Sequence, residues 1–352
     1  ALKPIRVQVL PPTGDFNAAL LKIFDSPSVA SKEWIYHQYD HMVGTATVVL
    51  PGSDASVIRI KGTDKRIAMS TDCNATYCYL DPYEGGKIAV AEAARNLVCS
   101  GALPLSVTDN LNFGNPMKPE VFWTFRKCIE GIRDACLKFE TPVSGGNVSF
   151  YNESPKGAID PTPTIGIAGI IEGRDPIPSA FQKEGDVVIL LGPTREELGG
   201  TEFLKAIHKR KEGIPPRLDL NEAAAFNATL LECAAQQLLR SAHDLSEGGL
   251  AVALAECTMA QEGKRLGAEV RVKAEGLSAE ALLFGESQSR AVLSLDRKNL
   301  AAVEAIIRKH GLPHQVIGEV GGDRLTINST INVLVEVLHA TWCHSIRRRM
   351  TA

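Results

Sequence analysis

Several things are missing from this chain, and each absence narrows the reading. No apolar run reaches the roughly 18 residues that a membrane span requires, and the opening residues do not read as a signal peptide. Clustered basic charge is also missing. With 38 Lys+Arg against 41 Asp+Glu and a net charge of −3, there is no electrostatic footprint for nucleic acid. The single basic run, Arg347–Arg349, reads as a solvated helix end. Eight cysteines occur without a CxxC pair. Cys99, Cys128, Cys136, Cys233 and Cys257 stand in apolar helical or strand patterns, as reduced core thiols of a cytoplasmic protein do, rather than disulfides or a zinc site. What is present is the composition of a globular protein, 352 residues with 44% hydrophobic, enough for two domains. A chain that begins at Ala1 without Met reads as processed, or as a piece of a longer one.

The stretch Thr141-Pro-Val-Ser-Gly-Gly-Asn-Val-Ser-Phe150 organises the rest. It reads as a short strand that breaks into a loop at Gly145-Gly146, where bare backbone lets a ligand approach. Asn147 and Ser149 alternate, so both point to one face of an extended segment. Amides, a carboxamide and a hydroxyl suit phosphate and a hydrated cation. A Gly-rich hairpin turn is the plainer alternative.

Upstream, residues 15–38 carry helical spacing in two short helices broken at Ser26-Pro27. The pair His37 and His41 invites a metal reading, but no partner ligand stands near in sequence, so packing is preferred. Strand-like runs follow at Thr45–Leu50, Ser56–Lys61 and Arg66–Thr71. The third ends in the polar triplet Asp72-Cys-Asn74. Gly85-Gly86 reads as the opening of a long Ala-rich helix whose N-terminal amides favour anions. On that helix Glu92 and Asn96 are four apart and share a face. With Asp72 they read as oxygen ligands of a metal. The alternative, a solvated stripe, is disfavoured because Lys87 and Arg95 fall elsewhere on the helix.

Leu105–Thr108 reads as a strand, Asp109–Pro116 as a polar loop, Pro119–Glu140 as an amphipathic helix, and Thr164–Glu172 as a buried strand. Two prolines within Gly173–Pro178 mark a domain boundary. A second α/β unit starts with the strand Asp186–Gly192. It continues through helices at 221–241 and 247–262, strands at 267–273, 289–296, 315–319 and 332–337, and helices at 298–310 and 338–349. Glu247-Gly-Gly-Leu-Ala-Val-Ala echoes Glu84-Gly-Gly-Lys-Ile-Ala-Val-Ala.

Five segments in order carry a resemblance. They are Ser70-Thr-Asp-Cys-Asn, Leu80-Asp-Pro-Tyr-Glu-Gly-Gly through Arg95-Asn96, Thr108-Asp-Asn-Leu-Asn-Phe-Gly-Asn-Pro, Thr141 through Glu153, and His243-Asp-Leu-Ser-Glu-Gly-Gly. Together they resemble the phosphoribosylformylglycinamidine synthases, and more narrowly the second half of the small-type synthetase subunit. The resemblance implies an α/β (α+β) fold of two domains: an N-type mixed sheet flanked by helices, as in aminoimidazole ribonucleotide synthetase, and a C-type α/β domain. The implied division is a helical linker at 1–44, the N-type domain at 45–175 and the C-type domain at 176–352.

It further implies ATP-dependent amidation of formylglycinamide ribonucleotide in purine biosynthesis, with ATP (or ADP) and Mg2+ as cofactors. The implied partners are the first half of the same synthetase, a glutaminase subunit and a small accessory subunit. By motif, Asp109 and Gly146 resemble nucleotide contacts, Asn147 a Mg2+ ligand and Ser149 a substrate contact. Asp72, Glu92, Asn96 and Asp244 resemble the metal ligands of a second, non-reacting nucleotide, with Ser246 on that nucleotide. The family's catalytic histidines lie in the first half and have no counterpart here, so the isolated chain is expected to be inactive and to pair with itself. One departure is Thr76, where the family usually has Arg.

Two other readings compete. One is a nucleotide-holding half that does no chemistry alone. The other is a self-contained kinase of the same superfamily, such as a thiamine-phosphate kinase or a selenophosphate synthetase. That reading needs a Gly-rich N-terminal segment with a reactive residue, and Lys3, Lys22 and Lys32 stand in no glycine loop.

Overall fold

The computed structural model describes residues 10–259, 265–273 and 276–351. Lys3 and the end of the helix expected at 247–262 lie outside the described residues.

Alternating side chains build the first sheet from β1 (Thr47–Val49), β2 (Ser56–Arg59), β3 (Lys65–Asp72), β4 (Leu103–Asn112), β5 (Val143–Ser149) and β8 (Thr162–Glu172), in the order β1-β2-β3-β8-β4-β5. All neighbours are antiparallel except β4 and β5. That parallel pair needs a crossover, supplied by α5 (Pro119–Phe139). A small ribbon, β6 (Glu153–Ser154) with β7 (Gly157–Ala158), follows the edge strand.

The sheet has one covered and one open face. Val57, Ala68, Val107, Ile165, Ile167 and Ile171 are buried in one core with the alanines of the long helix α4 (Pro82–Cys99). The opposite face carries the cross-strand row Ile58, Ile67, Ile170 and Leu103, with Leu103 and Met69 more than 40% exposed.

The glycines of α4 correct the sequence reading. The helix starts at Pro82, capped by Asp81, whose carboxylate accepts from the N–H groups of Tyr83 and Glu84. Gly85 and Gly86 lie inside it. A Cβ on Gly85 would stand 2.6 Å from the Cα of Cys78 in α3 (Ala75–Leu80), and one on Gly86 would strike the carbonyl of Cys128 in α5. The glycines permit close helix crossings rather than an anion-binding helix start.

The second sheet takes β9 (Val187–Leu191), β10 (Ser241–Asp244), β11 (Ala268–Val270), β12 (Ala291–Leu295), β13 (His314–Val320), β14 (Arg324–Ile327) and β15 (Ile331–Leu334), in the order β10-β12-β9-β13-β11-β14-β15. Its strands β9 and β12, apolar but for Ser294, are buried on both faces. The helices here are α6 (Leu220–Ala235), α7 (Gly249–Cys257), α8 (Ala279–Phe284), α9 (Leu300–Lys309) and α10 (Val335–Met350). The N-terminal helices α1 (Phe16–Phe24) and α2 (Glu33–Tyr36) precede the first sheet. Leu20, Ile23 and Phe24 of α1 are buried in the core of the second unit. Helix α4 is buried on nearly every side because it serves both units. Leu97 and Ala93 face the first sheet, while Val98 and Cys99 join Ile189, Leu293 and Phe226.

Candidate functional site

The expected site residues fall into two groups. The first lies on β4 and β5, at the edge of the first sheet. Asp109 is in register with Gly146, Asn110 with Asn147, and Asn112 with Ser149. Two expectations fail here. Asp109–Asn112 are strand rather than loop, and β5 runs unbroken through Gly145-Gly146. The Asn, Asp and Gly content that signals a turn here belongs to strands with an exposed edge, β5 being solvent-facing from Val143 to Val148.

Alternation divides this group between the two faces. Asp109 turns towards α5 and lines a cavity of about 520 Å³ with Ile129, Ile132, Leu137, Thr141 and Val143. Partial burial holds its carboxyl above the usual range. Gly146 is required beside it, since a Cβ there would lie 2.6 Å from the Asp109 carbonyl oxygen and closer still to its carboxylate. Asn147 and Ser149 face the open side. The Asn147 amide Nδ2 donates to Asn110 Oδ1 at 3.0 Å, on a residue that is exposed. Ser149 Oγ accepts from Asn152 Nδ2 at 3.2 Å. A neutral oxygen donor of this kind fits Mg2+ where phosphates supply the charge.

The second group lies between the two units. Asp72 ends β3, Glu92 projects from α4 and Asp244 ends β10. Asn96 follows Glu92 by one turn of α4, and Ser246 stands in the short link from β10 to α7. Burial pushes Asp72 up well above the carboxylate range, with Glu247 the largest neighbouring charge, and pushes Glu92 up likewise, with Asp72 beside it. Burial raises Asp244 to about 6. These carboxylates feel one another's charge and are the hard oxygen donors that suit Mg2+, but their ligand atoms do not gather within 4.8 Å of one another.

Arg95 corrects the sequence reading. It does not fall elsewhere on α4 but pairs with Glu92 at 3.1 Å and with Asp244 at 3.2 Å. Burial works against its charge, yet Glu92 and Asp244 outweigh it and hold the guanidinium more strongly protonated than usual. Thr76 stands in the first turn of α3, where its N–H donates to the capping Asn74 Oδ1 at 3.0 Å.

Sequence reasoning missed four more members. Asp54 Oδ1 lies 2.6 Å from His243 Nδ1, and its Oδ2 accepts from the Asp244 N–H at 3.1 Å. The other ring nitrogen of His243 meets Glu256 at 3.1 Å. Glu247 accepts from Asn74 at 3.0 Å. Glu286 accepts from the N–H groups of Glu202 (2.8 Å) and Gly248 (2.7 Å) and from the Tyr77 hydroxyl. His243 and Glu247 stood inside a quoted motif. The buried polar run Gly285-Glu-Ser-Gln-Ser-Arg290 between apolar segments was a usable signal for Glu286. Asp54, in an ordinary Gly-Ser-Asp turn, gave none. Among the described residues, one group of three such side chains brings its ligand atoms within 4.8 Å: Asp54, His243 and Asp244. His37 and His41 stack on each other at 5.6 Å instead. All eight cysteines are free, and no helix among the described residues is long and apolar enough to cross a membrane.

Residues 52–171 match the N-terminal domain of AIR synthase related proteins, and residues 183–328 match the C-terminal domain. The chain is 47% identical over 336 residues to the phosphoribosylformylglycinamidine synthase subunit PurL of Alkaliphilus metalliredigens, covering 95% of this chain and 45% of that protein. It is 48% identical over 344 residues to the subunit of the same name from Moorella thermoacetica, covering 96% and 46%. It thus spans about half the length of these relatives. Among solved structures, T. maritima PurL complexed with FGAR superposes with a TM-score of 0.74 at 20% identity, over 93% of this chain and 53% of that one. The same protein complexed with ATP gives 0.69, over 93% and 52%. Two mixed sheets flanked by helices, carrying the N- and C-terminal domains in this order, place the chain in the AIR synthase related family.

Proposed function

We propose that this chain is the second half of a phosphoribosylformylglycinamidine synthase subunit. It supplies the nucleotide, metal and substrate contacts of one edge of an active site that the first half completes. The observation that carries the reading is the β4–β5 edge. Asp109 lies beside an apolar cavity on one face, and outward-facing Asn147 and Ser149 lie on the other. Asp109 and Gly146 contact nucleotide, Asn147 Oδ1 holds Mg2+ and Ser149 contacts the ribonucleotide. Bound Mg2+ would neutralise phosphate charge there; the chain's own part is to orient these groups.

In the reaction, ATP phosphorylates the amide oxygen of formylglycinamide ribonucleotide. Ammonia then displaces phosphate to give formylglycinamidine ribonucleotide. A glutaminase subunit and a small accessory subunit complete the assembly, which we place in the cytoplasm. We place the domain division at residues 45–175 and 176–352, after the N-terminal segment that carries α1 and α2. The open face of the first sheet takes the first half. Its row Ile58, Ile67, Ile170 and Leu103 is the kind of apolar surface that finds a partner, and the chain matches less than half of its relatives' length. A second reading of the other group is favoured by its buried carboxylates: Asp72, Glu92, Asn96 and Asp244 hold Mg2+ for a non-reacting nucleotide touched by Ser246.

The test is an assay with formylglycinamide ribonucleotide, ATP, Mg2+ and ammonia. The chain alone should give no turnover and should scatter light as a dimer, paired through the open face. Co-expression with the first half should restore activity. Turnover by the chain alone overturns the reading.

A further inference from the structure

Arg95 sits where the two units meet inside the acidic cluster. It is 2% exposed, and every nitrogen of its guanidinium is engaged. Nε donates to Asp244 Oδ2 at 3.2 Å, and Nη1 donates to Gln288 Oε1 at 3.1 Å. Nη2 donates to the Leu245 carbonyl at 3.2 Å and faces Glu92 Oε2 at 3.1 Å. Glu92 belongs to α4, whereas Asp244, Leu245 and Gln288 belong to the second unit. A guanidinium is a rigid planar fork of five donors, suited to fixing several acceptors relative to one another. Here it takes one oxygen from each carboxylate. Oε1 of Glu92 and Oδ1 of Asp244 stay outside the fork.

Carboxylates gathered in a buried place either take up protons or require a cation. Asp72, Glu92, Asp244 and Glu247 are gathered in this way. Lys87, the other buried cation of α4, is directed elsewhere, to the Leu218 carbonyl at 3.1 Å and to Glu84 at 2.8 Å. His243 also stands beside Asp244 but is taken up by Asp54 and Glu256, so the cation that bridges Glu92 and Asp244 across the two units is Arg95.

We propose that Arg95 is the resident counter-ion of this cluster. It is a positioning residue that fixes Glu92 against Asp244 across the two units, so that the protein folds without metal and the oxygen ligands are arranged before Mg2+ arrives. The proposal rests on reading the cluster as a Mg2+–nucleotide site.

Thermal unfolding of the intact synthetase, in EDTA and in millimolar MgCl2, tests it. The wild type should fold in both and melt only modestly higher in MgCl2, by the stabilisation that ligand binding gives a folded state. Arg95→Met, similar in volume but uncharged, should melt about 10 °C lower in EDTA and recover most of that loss in MgCl2. Arg95→Lys, which keeps the charge but not the fork, should lie between them. The double variant Glu92→Gln/Arg95→Met removes the charge left uncompensated and should melt above Arg95→Met in EDTA. It also keeps the comparison readable if the single variant does not fold. An Arg95→Met that melts like wild type in EDTA, a double variant no better than the single one, or a wild type that itself needs Mg2+ to fold would each overturn the proposal. Calorimetry with MgADP on wild type and Asp72→Asn judges the underlying reading separately. Loss of one bound nucleotide is expected, and unchanged stoichiometry overturns the nucleotide site whatever the EDTA comparison says of Arg95.

Discussion

Gly146→Ala is the sharpest probe of the β4–β5 edge, because the structure supplies both the perturbation and its control. A methyl at Gly146 would lie 2.6 Å from the carbonyl oxygen of Asp109 and 2.8 Å from its Cγ. The carboxylate can rotate away, but the carbonyl oxygen belongs to the backbone of β4. Reaching an ordinary contact then requires β5 to move by roughly half an ångström or more. Overpacking of this kind typically costs about 1–3 kcal/mol. Because β5 is an edge strand with one free side, the lower part of that range is expected, or roughly 2–4 °C in melting temperature. The loss of nucleotide affinity should be larger than the loss of stability suggests. Relief of the clash displaces the Asp109 carboxylate from the cavity, and a lost charged contact of about 1.4 kcal/mol already means tenfold. Gly145→Ala is the control, since nothing lies within 4 Å of a Cβ at that position. Titration of ATP into the intact synthetase, with parallel melting curves, should give at least about tenfold weaker binding for Gly146→Ala and wild-type binding for Gly145→Ala. Equal damage from both substitutions, or unchanged affinity in Gly146→Ala, would refute the close-approach argument.

Asn147→Ala in the intact synthetase should lower kcat/KM by at least about tenfold, or about 1.4 kcal/mol of transition-state stabilisation. Its melting temperature should hardly move, because the side chain is exposed and makes a hydrogen bond to Asn110. An early-melting variant with full specific activity would make Asn147 a structural residue instead. Glu286 should set a pH dependence of stability. Burial raises its carboxyl to about 8 in the fold, against about 4.3 in the unfolded chain. The folded state thus holds this proton more tightly. That contribution is fully present below about pH 4 and is lost as pH rises through 8, by at most roughly 5 kcal/mol. Urea unfolding between pH 5 and 8 should show wild type losing stability more steeply than Glu286→Gln; parallel curves would mean that Glu286 is ionised among its three donors.

Local pattern made much of the fold legible. Alternation placed β2, β3 and β8 close to their observed bounds, and helical spacing with flanking Pro119 and Glu140 placed α5. Short elements were less readable. β10, β14 and α8 were not expected, because four to six residues carry too little periodicity to stand out. Arg95 shows why a site is harder to read than a helix. Its spacing from Glu92 was visible, but its bond to Asp244 joins residues 149 positions apart, and no local pattern encodes that pairing.

The misreadings at Asp109–Asn112 and Gly145-Gly146 have one physical cause. Composition identifies a turn only when polar residues and glycines are there to solvate a reversing backbone. On β4 and β5 they sit in register on paired strands at an exposed sheet edge instead. Asn110 and Asn147 satisfy each other by one hydrogen bond at 3.0 Å and keep further polar valence directed outward. The same face carries Met69 at 42% and Leu103 at 46% exposure. A surface that exposes apolar rows next to preorganised polar groups is shaped for another surface, with the apolar part bringing the two together and the polar part left for what lies between them. The unexpected strand composition is therefore the local trace of the site proposed for this edge.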